Sequence, residues 1–269
     1  MALSGIQISR AILTQWVHRA AALLTSIYVA QLRHVLRSKT LAMDGTPIKA
    51  GRDHDKGRMK TGWYWPLYGK DDEVVFTFSS SRARKHLDTL LAGFSGTLLS
   101  DDAAAYASFA RERPQIVHAQ CWSHTRRMFV KAQTAEPQVV AEALALIGRL
   151  YVIEAELRAR GGDAPAVLDY RRAHALPAVD AFFAWVDAQC HRLNLVASNP
   201  LAEALAYARE REGALRGYLG DPTVVTDTNH LERALRPIPM GRNFPWWTIM
   251  QATRPPALFY AAGSAAEFS

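Results

Sequence analysis

Between Thr40 and Cys121 the apolar pattern switches repeatedly between strand-like and helix-like spacing, an order that few folds accept. Thr40 to Ile48, Thr61 to Tyr68 and Glu73 to Phe78 are rich in aromatic and β-branched residues, which suit a pleated, half-buried surface. The polar stretch Gly51 to Lys60 between the first two reads as a hairpin connection. Three strands joined this closely predict an antiparallel meander. Ser80 or Ser81 then caps a helix running through Ala92 and ended by Gly93. Gly96 to Asp101 is a short apolar strand, Ala104 to Arg113 a helix stopped by Pro114, and Ile116 to Cys121 a further strand.

Three strands, helix, strand, helix, strand is the element order of the ribonuclease-H-like fold, an α/β architecture with a mixed sheet and flanking helices. Ahead of it, Ile12, Trp16, Ala20, Leu23, Ile27, Leu32, Val35 and Leu36 recur at helical spacing behind a candidate cap, Ser9, and predict a helix packed on the core. From Thr125 to Leu219 the pattern is helical throughout, with strong stretches at Ala141 to Arg160, Pro177 to Arg192 and Pro200 to Tyr218. In this helical part Arg158, Arg160, Arg171 and Arg172 are expected on the surface. The expected organisation is an N-terminal helical segment (1–39), the first part of an α/β core (40–129), an all-helical insertion (130–219), the last part of the core (220–245) and a tail (246–269).

A chain of 269 residues that is 49% apolar and 21% charged can bury a substantial core, which excludes a disordered tail or a fibre. Its net charge of +7 favours a polyanionic partner without naming one. Two cysteines, Cys121 and Cys190, make neither a disulfide framework nor a four-cysteine zinc site, so a reducing cytoplasm is the expected setting. The start MALSGIQISR lacks the pattern of a secretory leader, and apolar runs stop short of the ~20 residues of a spanning helix, so no membrane association is expected.

Two carboxylates fall where chemistry gathers in such a fold. Asp44 interrupts the first strand pattern, and Asp101 ends the strand GTLLSD directly before a helix. Carboxylates brought together repel unless a cation neutralises them, and hard oxygen donors suit magnesium or manganese. A third acid would complete a two-metal site for phosphodiester chemistry, with Asp221, Asp227 and Glu232 as candidates. The bland alternative for each acid is a cap or turn residue.

Five longer stretches carry a resemblance: LAMDGTPIKAG from Leu41, KTGWYWPLYG from Lys60, FTFSSSRARKHLDTLLAGFSGTLLSDDAAAY from Phe76, HAQCWSHTRRMF from His118 and TDTNHLERALRP from Thr226. In content and order they resemble the DDE transposases of the insertion-sequence-66 type. The resemblance implies a ribonuclease-H-like catalytic domain with a helical insertion that cuts and joins DNA with three acids and two divalent ions, Mg2+ or Mn2+. Carried over position by position, the acids are Asp44, Asp101 and Glu232, acting as metal ligands and catalytic groups. The partners implied are transposon ends and target DNA, bound by a homo-oligomer in a bacterial, nucleoid-associated setting.

The basic residues beside the last two motifs are expected to face DNA: His124, Arg126 and Arg127 after the CWSH motif, and Arg233 and Arg236 around Glu232. Cys121 and His124 alone make half a zinc site, and no second pair has ligand spacing. Trp63, Trp65 and Tyr68 alternate on a strand as core residues do. Gly45 stands where family members usually carry an acid, Thr228-Asn229 where they usually carry Asn-Asn, and the stretch after Arg242 follows the family poorly. With a start only a few dozen residues before Asp44, these departures define the alternative expectation: an N-terminally truncated copy, catalytically weak or inactive, that only binds DNA. A third is a ribonuclease-H-like nuclease unrelated to transposition.

Overall fold

A computed structural model describes residues 2–3, 6–53, 58–69, 73–101, 103–192, 196 and 198–228. They form a mixed α/β chain of two compact units, one holding the residues up to Gly96 together with Ala104–Arg113, the other Thr97–Ala103 with the residues from Pro114 onward.

In the first unit, two short strands, β1 (Ala2–Leu3) and β2 (Ile6–Gln7), pair antiparallel ahead of the long helix α1 (Arg10–Val35). Ser9 caps α1 as expected, its hydroxyl oxygen accepting the Ile12 N–H at 3.3 Å. The C-terminal half of α1 buries Leu32 and Val35, and the Tyr28 hydroxyl donates to the Phe76 carbonyl at 3.1 Å. The part of the helix before Tyr28 differs from the expected packing helix, because Trp16, Leu23 and Ile27 are exposed. Helical spacing establishes a stripe but not what covers it.

The meander is present as β3 (Thr40–Met43), β4 (Thr46–Asp53), β5 (Arg58–Tyr68) and β6 (Val74–Ser79). Met43 pairs with Leu67 and Thr46 with Tyr64, so β3 and β4 continue in one register along one edge of β5, while β6 pairs with β5 from Trp63 to Tyr68. The two short strands are thus one strand interrupted at Asp44 and Gly45. In that register Pro66 stands opposite Asp44 and has no N–H to offer a ladder. Beneath lie fully buried Trp65 and Tyr106, their rings edge-on with centroids 6.0 Å apart.

The helix after the meander, α2 (Arg84–Leu90), starts later than its sequence suggests. Ser81 spends its side chain on the Ala83 N–H at 3.3 Å in a turn rather than as the cap of a first turn. The next helix, α3 (Ala104–Arg111), packs on α2, with Arg84 paired to Glu112, and Arg113 to Asp88 at 2.9 Å.

The second unit carries the body of β7 (Gly96–Ser100) beside β8 (Ile116–Gln120). The Cys121 N–H donates to the Ser100 carbonyl at 3.1 Å, so both strands end at the same place and run in the same direction. Helices follow: α4 (Trp122–Lys131), α5 (Pro137–Arg160), α6 (Ala164–Tyr170), a π-helical turn (Arg171–Ala175), α7 (Leu176–Cys190), α8 (Pro200–Glu210), α9 (Glu212–Arg216) and a 3-10 turn (Gly217–Gly220). The described residues between 130 and 219 contain no strand. An aromatic cluster holds the helices together: Trp122 meets Phe182 at 5.2 Å and Phe129 meets Phe182 at 5.9 Å, all three fully buried.

Of the four arginines expected on this surface, Arg158, Arg160 and Arg172 are exposed. Arg171 is a correction, being 3% exposed. Its guanidinium is buried because five acceptors surround it, which a helical pattern cannot reveal.

Candidate active site

The interruption between β3 and β4 shapes the surroundings of Asp44. Its Oδ1 accepts the N–H of Gly45 at 2.6 Å, and the side chain is half-buried. Gly45 lies against the Trp65 ring, where an added Cβ would sit 3.4 Å away in near-ordinary contact.

Asp101 directly follows β7 and is 5% exposed. Its Oδ1 accepts the Ala103 N–H at 3.1 Å, a turn that leads the chain away from the strand end. A packed interior admits a carboxylate only when other groups compensate it. The neighbouring Ser100 hydroxyl lies 2.9 Å from Nε2 of His118 on β8. Burial pushes that imidazole down to about 4, so it is neutral at physiological pH.

At the end of β8 the CWSH motif turns into α4. Cys121 occupies the cap position and is fully buried. Its sulfur lies 2.9 Å from the Ser123 hydroxyl and accepts both the N–H and the hydroxyl of Thr228 at 3.2 Å. Burial pushes the thiol up, but hydrogen bonds from His124, Ser123 and Thr228 together bring it below the ordinary value. His124 is held up by its hydrogen-bonding contact with Cys121 against burial, with Asp101 a favourable charge and Arg127 an opposing one. The motif is therefore a hydrogen-bonded hub, and the described residues contain no group of three His, Cys, Asp or Glu side chains able to hold a metal.

Arg126 and Arg127 are exposed on α4. With Ser123, Val130 and Tyr151 of α5 they line an open cavity of about 420 Å3. Burial, then the nearby Asp227 carboxylate, raises the Tyr151 hydroxyl above its ordinary range, which keeps it a neutral donor. Nothing in the sequence marks Tyr151 except its place in a helical stripe.

Among the candidates for a third acid, Asp221 is a turn residue. Its carboxylate accepts the Thr97 hydroxyl at 2.6 Å, and the Thr223 N–H and hydroxyl at 2.9 and 2.6 Å. Asp227 is half-buried near Tyr151. Glu232, Arg233 and Arg236 lie outside the described residues. Asp44 and Asp101 fall in different compact units. Both offer hard oxygen donors, the chemistry that suits Mg2+ or Mn2+. No helix among the described residues is long and apolar enough to cross a membrane.

Comparisons with known proteins agree with the motifs. The model of the family described as "Transposase IS66 family" matches residues 1–253. Three uncharacterized proteins of Sinorhizobium fredii (strain NBRC 101917 / NGR234) are similar. The protein y4qI is 27% identical over 249 residues, which cover 87% of this chain and 45% of the relative. For y4jD the identity is 27% over 254 residues, 88% of this chain and 48% of the relative. For y4hP it is 27% over 277 residues, 93% and 48%. The chain thus spans about half the length of these relatives. The family match runs through Asp44, Asp101, the CWSH turn and the segment ending at Thr228, so the chain belongs to the IS66 family of transposases.

Proposed function

We propose that this chain is the catalytic part of a DDE transposase that cuts DNA strands and joins their ends to a target, with a ribonuclease-H-like core interrupted by its helical part. The observation that carries the reading is Asp101: an acid 5% exposed directly after a strand, in the family's own motif, near the His124 imidazole. Asp44 at the interruption of the first strand is the second acid, and Glu232, four residues beyond Thr228, the third.

In this reading Asp44, Asp101 and Glu232 would hold two Mg2+ or Mn2+ ions. When bound, such ions supply activation of a water or a DNA 3′-hydroxyl and stabilisation of the leaving oxygen at a phosphodiester. The chain's own residues hold the substrate in place. Arg126 and Arg127 offer forked donors at the α4 cavity, matched to phosphate oxygens. His124, held towards its protonated form by its contact with Cys121, stands at the same helix start. His118 stays neutral and keeps its bond to Ser100, which fixes the strand end before Asp101.

A second reading, a family member that binds DNA with little or no turnover, is favoured by Gly45, where family members usually carry an acid. A calorimetric Mn2+ titration tests the leading reading. Binding that is lost in Asp101→Asn supports an acid-held metal site; no binding by the unaltered chain sinks it and leaves the second.

A further inference from the structure

The helical part returns to the core through residues 217–228, and this segment is held at many points. Arg171, the first residue of the π-helical turn, uses all five of its N–H donors. Nε and Nη2 donate to the two carboxylate oxygens of Glu154 at 2.9 and 2.8 Å. Nη1 donates to the carbonyls of Tyr218 and Asp221 at 2.7 and 2.8 Å, and Nη2 also to that of Val224 at 2.9 Å. The guanidinium lies 5.1 Å from the centre of the buried Tyr218 ring. Glu154 fixes the fork, and the fork fixes three carbonyls spaced three residues apart.

The far end of the segment is fastened to the β8–α4 junction. The Trp122 N–H donates to the Thr226 carbonyl at 2.9 Å, and Thr228 gives its N–H and hydroxyl to the Cys121 sulfur. In between, Asp221 takes the hydroxyl of Thr97 on β7, the strand that Asp101 follows. Where the segment begins, Gly217 approaches β8 so closely that an added Cβ would sit 2.9 Å from the His118 carbonyl oxygen. A chain end with only surface contacts would need none of this, and π-helical turns recur at functional sites.

We infer that Arg171 is a positioning residue: with Glu154 it clamps residues 218–224 and so sets, through the Cys121–Thr228 fastening, where the chain stands at Thr228, four residues before Glu232. Its bearing on metal binding comes through Glu232 as the third acid. This inference rests on Glu232 being that acid. Lysine cannot replace arginine here, because a single ammonium has no fork to span Glu154 and three carbonyls.

The experiment compares the full chain with Arg171→Lys, which keeps a cation beside Glu154, and with the double variant Arg171→Met/Glu154→Met, which leaves no buried charge unpaired. Hydrogen exchange is followed by mass spectrometry, and Mn2+ affinity by calorimetry. The clamp predicts exchange at least ten-fold faster in peptides spanning 217–228, unchanged exchange in β7, β8 and α7, and Mn2+ binding about ten-fold weaker in both variants. Unchanged exchange in 217–228, equal acceleration throughout the chain, or local loosening with unaltered Mn2+ affinity would each overturn it. Should the unaltered chain bind no Mn2+, the proposed function fails and with it the positioning role, while the exchange data still decide whether Arg171 clamps the segment.

Discussion

Arg171 and Glu154 meet through two hydrogen bonds of 2.9 and 2.8 Å, each side chain only 4% exposed. Such a pair is a weak source of net stability, because desolvation offsets much of the attraction, yet either partner left alone is costly. Arg171→Leu should therefore destabilise by about 3–5 kcal/mol, while the double replacement by methionine should stay within about 1 kcal/mol of the unaltered chain. Urea denaturation of the three proteins checks this, and equal losses in both variants would contradict it.

Two buried imidazoles make stability depend on pH. Burial lowers His86, whose Nε2 lies 3.1 Å from the Thr77 hydroxyl, and His118 to about 4. Between that value and the unfolded value near 6.5, the unfolded chain binds more protons than the folded one. Their contribution is fully present above about pH 6.5 and lost as pH falls towards 4, by up to about 3 kcal/mol for each histidine. Denaturation midpoints at pH 7.5, 6 and 5 should fall in order, and His118→Gln should flatten the trend by about half.

Gly96 is the glycine that the fold needs most. At φ +142° it opens β7, and an added Cβ would strike the Lys39 carbonyl. Gly96→Ala should cost at least about 2 kcal/mol from strain and backbone displacement. Gly45→Ala, facing the Trp65 ring, should cost less than about 1 kcal/mol. Thermal unfolding of both variants tests the contrast, and an equal cost would refute it.

The cavity between α4 and α5 predicts a phosphate footprint. Replacing Arg126 and Arg127 by glutamine should weaken duplex binding alike for every sequence and lower the salt slope by about two, one for each lost contact. Anisotropy titrations at several salt concentrations measure both; an unchanged slope would remove these arginines from the interface.

Much of this was legible from periodicity. The strands from Thr40 to Cys121 and the Ser9 cap follow from local rules, since a two-residue repeat and a hydroxyl before an apolar stripe act over a few residues. The exposed side of α1 was not legible, because a stripe at Trp16, Leu23 and Ile27 looks the same whether covered or bare. The burial of Arg171 is hidden for a related reason: an arginine among polar helical neighbours reads as surface, and its five acceptors come from residues 17 to 53 positions away. Asp101 is legible from its position after a strand, whereas the Cys121–Thr228 fastening depends on a contact across 107 positions that no local pattern contains.

The claim that the acids Asp44, Asp101 and Glu232 form one metal-dependent centre is tested most directly by strand cleavage. Supercoiled plasmid is incubated with the purified chain in Mg2+ or Mn2+, beside Asp44→Asn, Asp101→Asn and Glu232→Gln. Metal-dependent nicking that falls at least about a hundred-fold in each variant, with duplex binding unchanged, is the predicted result. Nicking that persists in any one of the three, at the rate of the unaltered chain, would contradict the assignment.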